Sequence, residues 1–212
     1  YEISECLVGS EMCIRDSVTP DHYIPQIVSA IDMARKRNFH LPFVYNCSGY
    51  ETADMILMLD GYIDVYLPDF KFMSPEIASR YCNTPDYASY AKQSIAEMVR
   101  QCGGAKTNFN QYGIMQKGVI VRHLQLPGHI ADSKSVITYL YNTYGDDIYM
   151  SIMNQYTPLE SVLKYPEINR KVTESEYDEV LDFAVEIGVE NAFVQEGGTV
   201  SESFIPLFDG EG

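Results

Sequence analysis

The sequence has no tryptophan and only 15 lysines and arginines against 30 acidic residues, leaving a formal net charge of −15 over 212 residues. Nucleic-acid backbones are held by clustered Lys and Arg, so that class of partner is not expected. No apolar run approaches a membrane span and no basic-then-apolar signal segment is present, so the expectation is a soluble, cytoplasmic protein without a membrane partner. Neither GxGxxG nor GxxxxGK[ST] occurs, which removes the usual phosphate cradles of dinucleotide and nucleoside-triphosphate folds. Cys6, Cys13, Cys47, Cys82 and Cys102 show no CxxC or CxxxC spacing. None is expected to bind metal, and all five read as reduced, mostly buried thiols. His123 and His129 flank the Pro127-Gly128 turn and read as structural. What the chain does have is 46% apolar residues and 17 tyrosines, enough for one domain with a sizeable core.

The organising stretch runs from Gly61 to Lys71. Ile63, Val65 and Leu67 alternate on one face of an expected strand, and Asp69 and Lys71 continue that face beyond Pro68. An acid and a base thus leave a strand at its C-terminal end, where α/β proteins hold ligands; a plain surface ion pair would look the same.

Around it, helices and strands alternate. Ile24, Ile27, Val28 and Ile31 have helical spacing, and Leu41 to Asn46 is a strand leading into Cys47-Ser48-Gly49-Tyr50. Thr52 to Leu59 is a short helix, Ser74-Pro75-Glu76 starts another, and Asp86 to Cys102 stops at Gly103-Gly104. A polar loop from Ala105 to Lys117 precedes a long strand, Gly118 to Leu126. Ser133 to Tyr144 is helical, Ile148 to Met153 a strand, and Thr173 with Glu176 forms a capping box for a helix ending at Gly188. Asn191 to Gln195 is the fifth strand, followed by an irregular tail. Such alternation implies parallel strands with right-handed crossovers, in a barrel or an open doubly wound sheet.

Polar residues collect after the strands: Asn46 and Ser48, Asp69 and Lys71, and Asn154, Gln155 and Tyr156. Loop polarity alone explains part of this. Arg122 is different, because it lies within its strand on the face of Ile120, Leu124 and Leu126, and an inward arginine needs an anionic partner such as Asp69.

Four motifs taken together resemble successive strand ends of radical S-adenosylmethionine proteins, nearest those similar to pyruvate formate-lyase-activating enzyme. They are Tyr45-Asn46-Cys47-Ser48-Gly49-Tyr50-Glu51, Asp64 to Lys71, Val119 to Leu124 with Pro127-Gly128, and Met153 to Pro158; Phe204 to Gly212 resembles the same group's C-terminal end. The resemblance covers Val18 to Gly212 and implies an α/β fold, an incomplete parallel (β/α)6-type partial barrel lacking its first two strands. It implies S-adenosylmethionine and a [4Fe–4S] cluster as cofactors, reductive cleavage to a 5′-deoxyadenosyl radical, an electron donor such as flavodoxin or ferredoxin, and a glycyl-radical enzyme or other substrate. By resemblance Lys71 and Arg122 would pair with the carboxylate of S-adenosylmethionine and Asp69 would order them. Asn46 and Ser48 would lie near the cofactor or a bound cation, and Gln155 would line the pocket.

The CxxxCxxC loop and the Gly-Gly-Glu motif of that family are absent. Residues 1–17 resemble translated sequencing-adapter read-through, so they are set outside the fold and 18–212 is taken as the C-terminal part of the barrel. The chain itself is expected to be inactive, with no catalytic or metal-binding residue assigned. A different reading is a non-catalytic module that binds a partner through the barrel edge left open near residue 42. An aldolase-like use of Lys71 as a Schiff-base nucleophile ranks last, since Asp69 would keep that lysine charged.

Overall fold

The computed structural model describes residues 15–18, 20–158, 162–196 and 199–202. Its strands are β1 (Arg15–Val18), β2 (Phe43–Cys47), β3 (Val65–Pro68), β4 (Asn108–Phe109), β5 (Met115–Leu124), β6 (Tyr149–Met153), β7 (Ala192–Glu196) and β8 (Thr199–Glu202). The helices are α1 (Ile24–Lys36), α2 (Ala53–Leu57), α3 (Pro75–Cys82), α4 (Tyr87–Cys102), α5 (Ile130–Tyr144) and α6 (Glu174–Glu186).

Local chemistry sets the boundaries. The Thr52 hydroxyl accepts from Met55 N at the start of α2, and Ser74 accepts from Ile77 N before Pro75 opens α3. Thr173 and Glu176 complete their capping box. Each cap satisfies backbone donors that a first helical turn leaves free. Arg35, near the end of α1, donates to Gly61 O and Tyr62 O, which ties that helix to the turn before β3.

The strands run β1-β2-β3-β5-β6-β7-β8, parallel up to β7, with β8 antiparallel to β7 and β4 antiparallel to β5. This is the parallel α/β arrangement expected from the alternation, in the form of the incomplete barrel that the resemblance implies. Its parts depart from the sequence reading in three places. Residues 15–17 join Val18 in β1, and the pairing from Arg15↔Phe43 to Val18↔Asn46 covers the β2 edge that the sequence leaves open near residue 42. The Ala105–Lys117 stretch contains β4, and the tail contains β8. Short edge strands are recruited by the backbone donors and acceptors of a neighbour and need no side-chain alternation of their own.

Strand periodicity divides the apolar residues between two faces. Phe43, Tyr45, Cys47, Tyr66, Val119, Val121, Met150 and Ile152 join the main core with Ile95 and Met98 of α4 and Val136, Ile137 and Leu140 of α5. Each such fully buried aliphatic side chain contributes roughly 2 kcal/mol. On the opposite face Val44, Val65 and Met115 form a smaller cluster, flanked by Leu67, Phe109, Ile120 and Tyr149. Tyr45, Tyr66, Tyr87 and Tyr177 are buried in the main core, where the Tyr66 hydroxyl donates to Gln101 and the Tyr177 hydroxyl to Ile152 O. No helix among the described residues is long and apolar enough to cross a membrane.

Candidate functional site

The minor face becomes polar toward the strands' C-terminal ends. Asn46 follows Val44 by two residues, Asp69 follows Leu67, and Arg122 follows Ile120, so strand periodicity brings all three to one side. Asp69 and Arg122 form an isolated parallel bridge, and Phe70 N donates to Arg122 O at 2.8 Å. Above this backbone link the Arg122 guanidinium donates to Asn46 Oδ1 at 2.6 Å and lies 2.7 Å from Asp69 Oδ1 as an ion pair. The anionic partner that an inward arginine requires is therefore Asp69.

Lys71 Nζ lies 3.5 Å from the other Asp69 oxygen, and its side chain is 41% exposed against 26% for Arg122 and 20% for Asp69. The lysine pair is accordingly weak, whereas the arginine pair is close and half-desolvated. Two cations and one anion leave one positive charge here, in a chain whose formal net charge is −15. The Arg122 Nε is buried and has no partner. These groups open on a cleft of about 320 Å³ lined by Asp69, Lys71, Phe72, Arg122, Leu124, Leu126 and Met153.

Of the residues singled out from sequence, Asn46, Asp69, Lys71 and Arg122 come together. Ser48 instead donates to Glu51 Oε1 at 2.9 Å and accepts from Tyr50 N. Gln155 is exposed and does not line the cleft; β6 ends at Met153, and the chain leaves strand geometry before Gln155.

Sequence reasoning assigned no role to Tyr87 or Asp132 and read His123 as structural; the three fasten the β3–α3 loop. The Tyr87 hydroxyl lies 3.0 Å from Lys71 N, 2.8 Å from Ser48 O and 2.9 Å from Asp69 O. The Asp132 carboxylate accepts from Met73 N and Ser74 N. His123 Nδ1 is 2.8 Å from Phe70 O and its Nε2 is 2.9 Å from Ser133 Oγ. A carbonyl can only accept, so Nδ1 carries the proton and Ser133 donates to Nε2. Burial holds the imidazole below its ordinary pKa, in keeping with that neutral form.

Glu51 was also missed as a titrating group. It is buried, its Oε2 has no partner, and burial followed by the nearby negative charge of Asp21 pushes its carboxyl above the ordinary range. A raised folded-state pKa contributes stability that is present below the unfolded carboxylate pKa and lost as pH rises through the raised value. Glu51→Gln cannot ionise and escapes that loss. The variant should therefore gain on the wild type between pH 4 and pH 7, measured as denaturation midpoints at both; a gap independent of pH would contradict the assignment.

Among the described residues no group of three or more His, Cys, Asp or Glu side chains could hold a metal ion. Cys47, Cys82 and Cys102 are free thiols at the ends of β2, α3 and α4, and Cys6 and Cys13 lie outside the described residues. The described thiols do not fit an iron–sulfur cluster.

No protein-family model matches the chain. It is 28% identical over 160 residues to an uncharacterized protein of Methanocaldococcus jannaschii, a match taking in 76% of this chain and 43% of that protein. The chain thus spans less than half the length of the curated relative it matches. Among solved structures its fold is similar to that of a domain of pyruvate-formate lyase-activating enzyme from Bacteroides vulgatus, with a TM-score of 0.58 and 10% identity over 87% of this chain and 98% of that one. At that identity the likeness is one of fold.

Proposed function

We propose that this chain is part of a radical S-adenosylmethionine protein similar to the glycyl-radical-enzyme activases, and that its cleft holds the carboxylate end of S-adenosylmethionine. The observation that carries the reading is the single positive charge left over by Asp69, Lys71 and Arg122 beside an apolar wall. A carboxylate balances that charge, whereas a phosphate dianion would exceed it. Lys71 would donate to the carboxylate, and Arg122 would face it with its remaining donors while Asp69 and Asn46 fix the guanidinium plane. Phe72, Leu124, Leu126 and Met153 would cover the ligand's apolar stem. The likeness of fold to an activating-enzyme domain supports the same reading.

Iron–sulfur chemistry would be supplied elsewhere, because the described cysteines lie on three separate elements. The chain as it stands is proposed to be unable to cleave S-adenosylmethionine, and formation of 5′-deoxyadenosine after reconstitution with iron, sulfide and a reductant would refute this. For the parent protein a flavodoxin or ferredoxin donor and a glycyl-radical or other substrate remain part of the proposal.

The binding claim is tested by titrating S-adenosylmethionine against 5′-methylthioadenosine, which keeps the adenosine and the 5′ sulfur but lacks the carboxylate together with the amino group and the sulfonium charge. Charge-assisted hydrogen bonds contribute about 1.5–3 kcal/mol, so S-adenosylmethionine should bind about tenfold tighter or more at low salt. The advantage should shrink as salt screens the half-exposed lysine. Equal affinities would sink the reading.

A further inference from the structure

We infer that Tyr87 is a positioning residue for this site, the fastener that sets Asp69 and Lys71 against Arg122; the inference rests on reading the cleft as a carboxylate site. Tyr87 is buried at the start of α4, sixteen residues beyond Lys71, with its ring against Phe70, Phe72 and Tyr50. Its hydroxyl stands where the loops after β2 and β3 converge. One hydroxyl has a single hydrogen and two lone pairs. It therefore accepts the Lys71 N–H and gives its hydrogen to Ser48 O or Asp69 O, one at a time. Burial raises the phenol pKa well above its ordinary value, so that hydrogen stays in place.

The consequence is geometric. Beyond Pro68 the segment keeps only the Asp69–Arg122 bridge and the Asp69 N–Cys47 O bond, so the orientation of Asp69 and the placement of Lys71 depend on what else holds that backbone. Tyr87 anchors it at both functional residues, through Asp69 O and Lys71 N. His123 and Asp132 anchor the neighbouring Phe70 O, Met73 N and Ser74 N. Without the hydroxyl, a part-buried N–H and one carbonyl lose their partner and the backbone must move to recover them.

The test is Tyr87→Phe, which keeps the ring and its aromatic neighbours, with Ile95→Val in the same helix as a control that loosens the core without touching the loop. The readout is the ratio of affinities for S-adenosylmethionine and 5′-methylthioadenosine. Tyr87→Phe should shrink that ratio by about tenfold while affinity for the compound lacking a carboxylate stays put, because the lost bonds orient only charged groups. Ile95→Val should leave the ratio unchanged. A discriminating wild type together with an equally discriminating Tyr87→Phe overturns this inference alone, as does an equal fall of the ratio in Ile95→Val. A wild type that binds the two compounds alike overturns the carboxylate reading, and this inference with it.

Discussion

Gly49→Ala should cost on the order of 4 kcal/mol, against about 1 kcal/mol for Gly61→Ala, although both glycines have the same backbone conformation. Gly49 has φ +77° and Gly61 φ +81°, so left-handed strain is common to the two. The difference lies in space. A Cβ on Gly49 would stand 1.9 Å from Asp69 O and 3.1 Å from the Tyr87 hydroxyl oxygen, while one on Gly61 meets nothing within 4 Å. Asp69 O is backbone, fixed by the Asp69–Arg122 bridge beside it, so it cannot swing aside as a flexible side chain would. With total stability of typically 5–15 kcal/mol, the Gly49 variant should still unfold cooperatively but at a much lower denaturant midpoint. Parallel denaturant titrations of the two variants decide the matter, and equal midpoints would mean that the loops after β2 and β3 do not approach as described.

Arg122→Leu should lower stability by roughly 2 kcal/mol, less than the 3–5 kcal/mol of a fully buried broken pair because Asp69 and Arg122 keep some solvent contact. It should also remove the advantage of S-adenosylmethionine over 5′-methylthioadenosine. The loss of stability arises mainly from Asp69, whose carboxylate would be left half-buried with only the Lys71 ammonium at 3.5 Å. Removing both partners is a different experiment. Asp69→Leu combined with Arg122→Leu should recover most of the stability, since no uncompensated charge remains, yet it should not recover binding. Thermal melts of the two single variants and the double variant measure this coupling. A double variant as unstable as the sum of the singles would show that the pair contributes through packing, not through charge.

The charged part of the site was legible because strands repeat every two residues. Leu67, Asp69 and Lys71 share parity with one another, as do Ile120 and Arg122, so one apolar face announces which polar residues emerge from it. Gln155 shares parity with Met153 but lies past the end of β6, where periodicity no longer determines direction. Tyr87 gave no signal, since a helical tyrosine in an apolar stripe looks the same whether its hydroxyl is idle or bridges two loops. The Cys47-Ser48-Gly49-Tyr50 loop could be recognised by its small residues, but the approach of Asp69 O to Gly49 is a tertiary fact. β1 and β8 were illegible for the reason already given for edges, and Arg15 to Ser17 in particular carry no pattern of their own.

The pairing between β3 and β5 has a mechanical consequence. Regular register there is confined to Val65↔Gly118 and Tyr66↔Val119, whereas β5 and β6 share five consecutive pairs. Pro68 has no N–H to offer, and the sheet closes again only at the Asp69–Arg122 bridge. The β3–β5 pairing is thus interrupted at Leu67 and Pro68, a seam with β1 to β3 on one bank and β5 to β8 on the other, bridged beneath by α4. The cleft straddles that seam, with Asp69, Lys71 and Phe72 on one bank and Arg122, Leu124, Leu126 and Met153 on the other. Any occupant that grips both banks works as a clasp across the interrupted pairing.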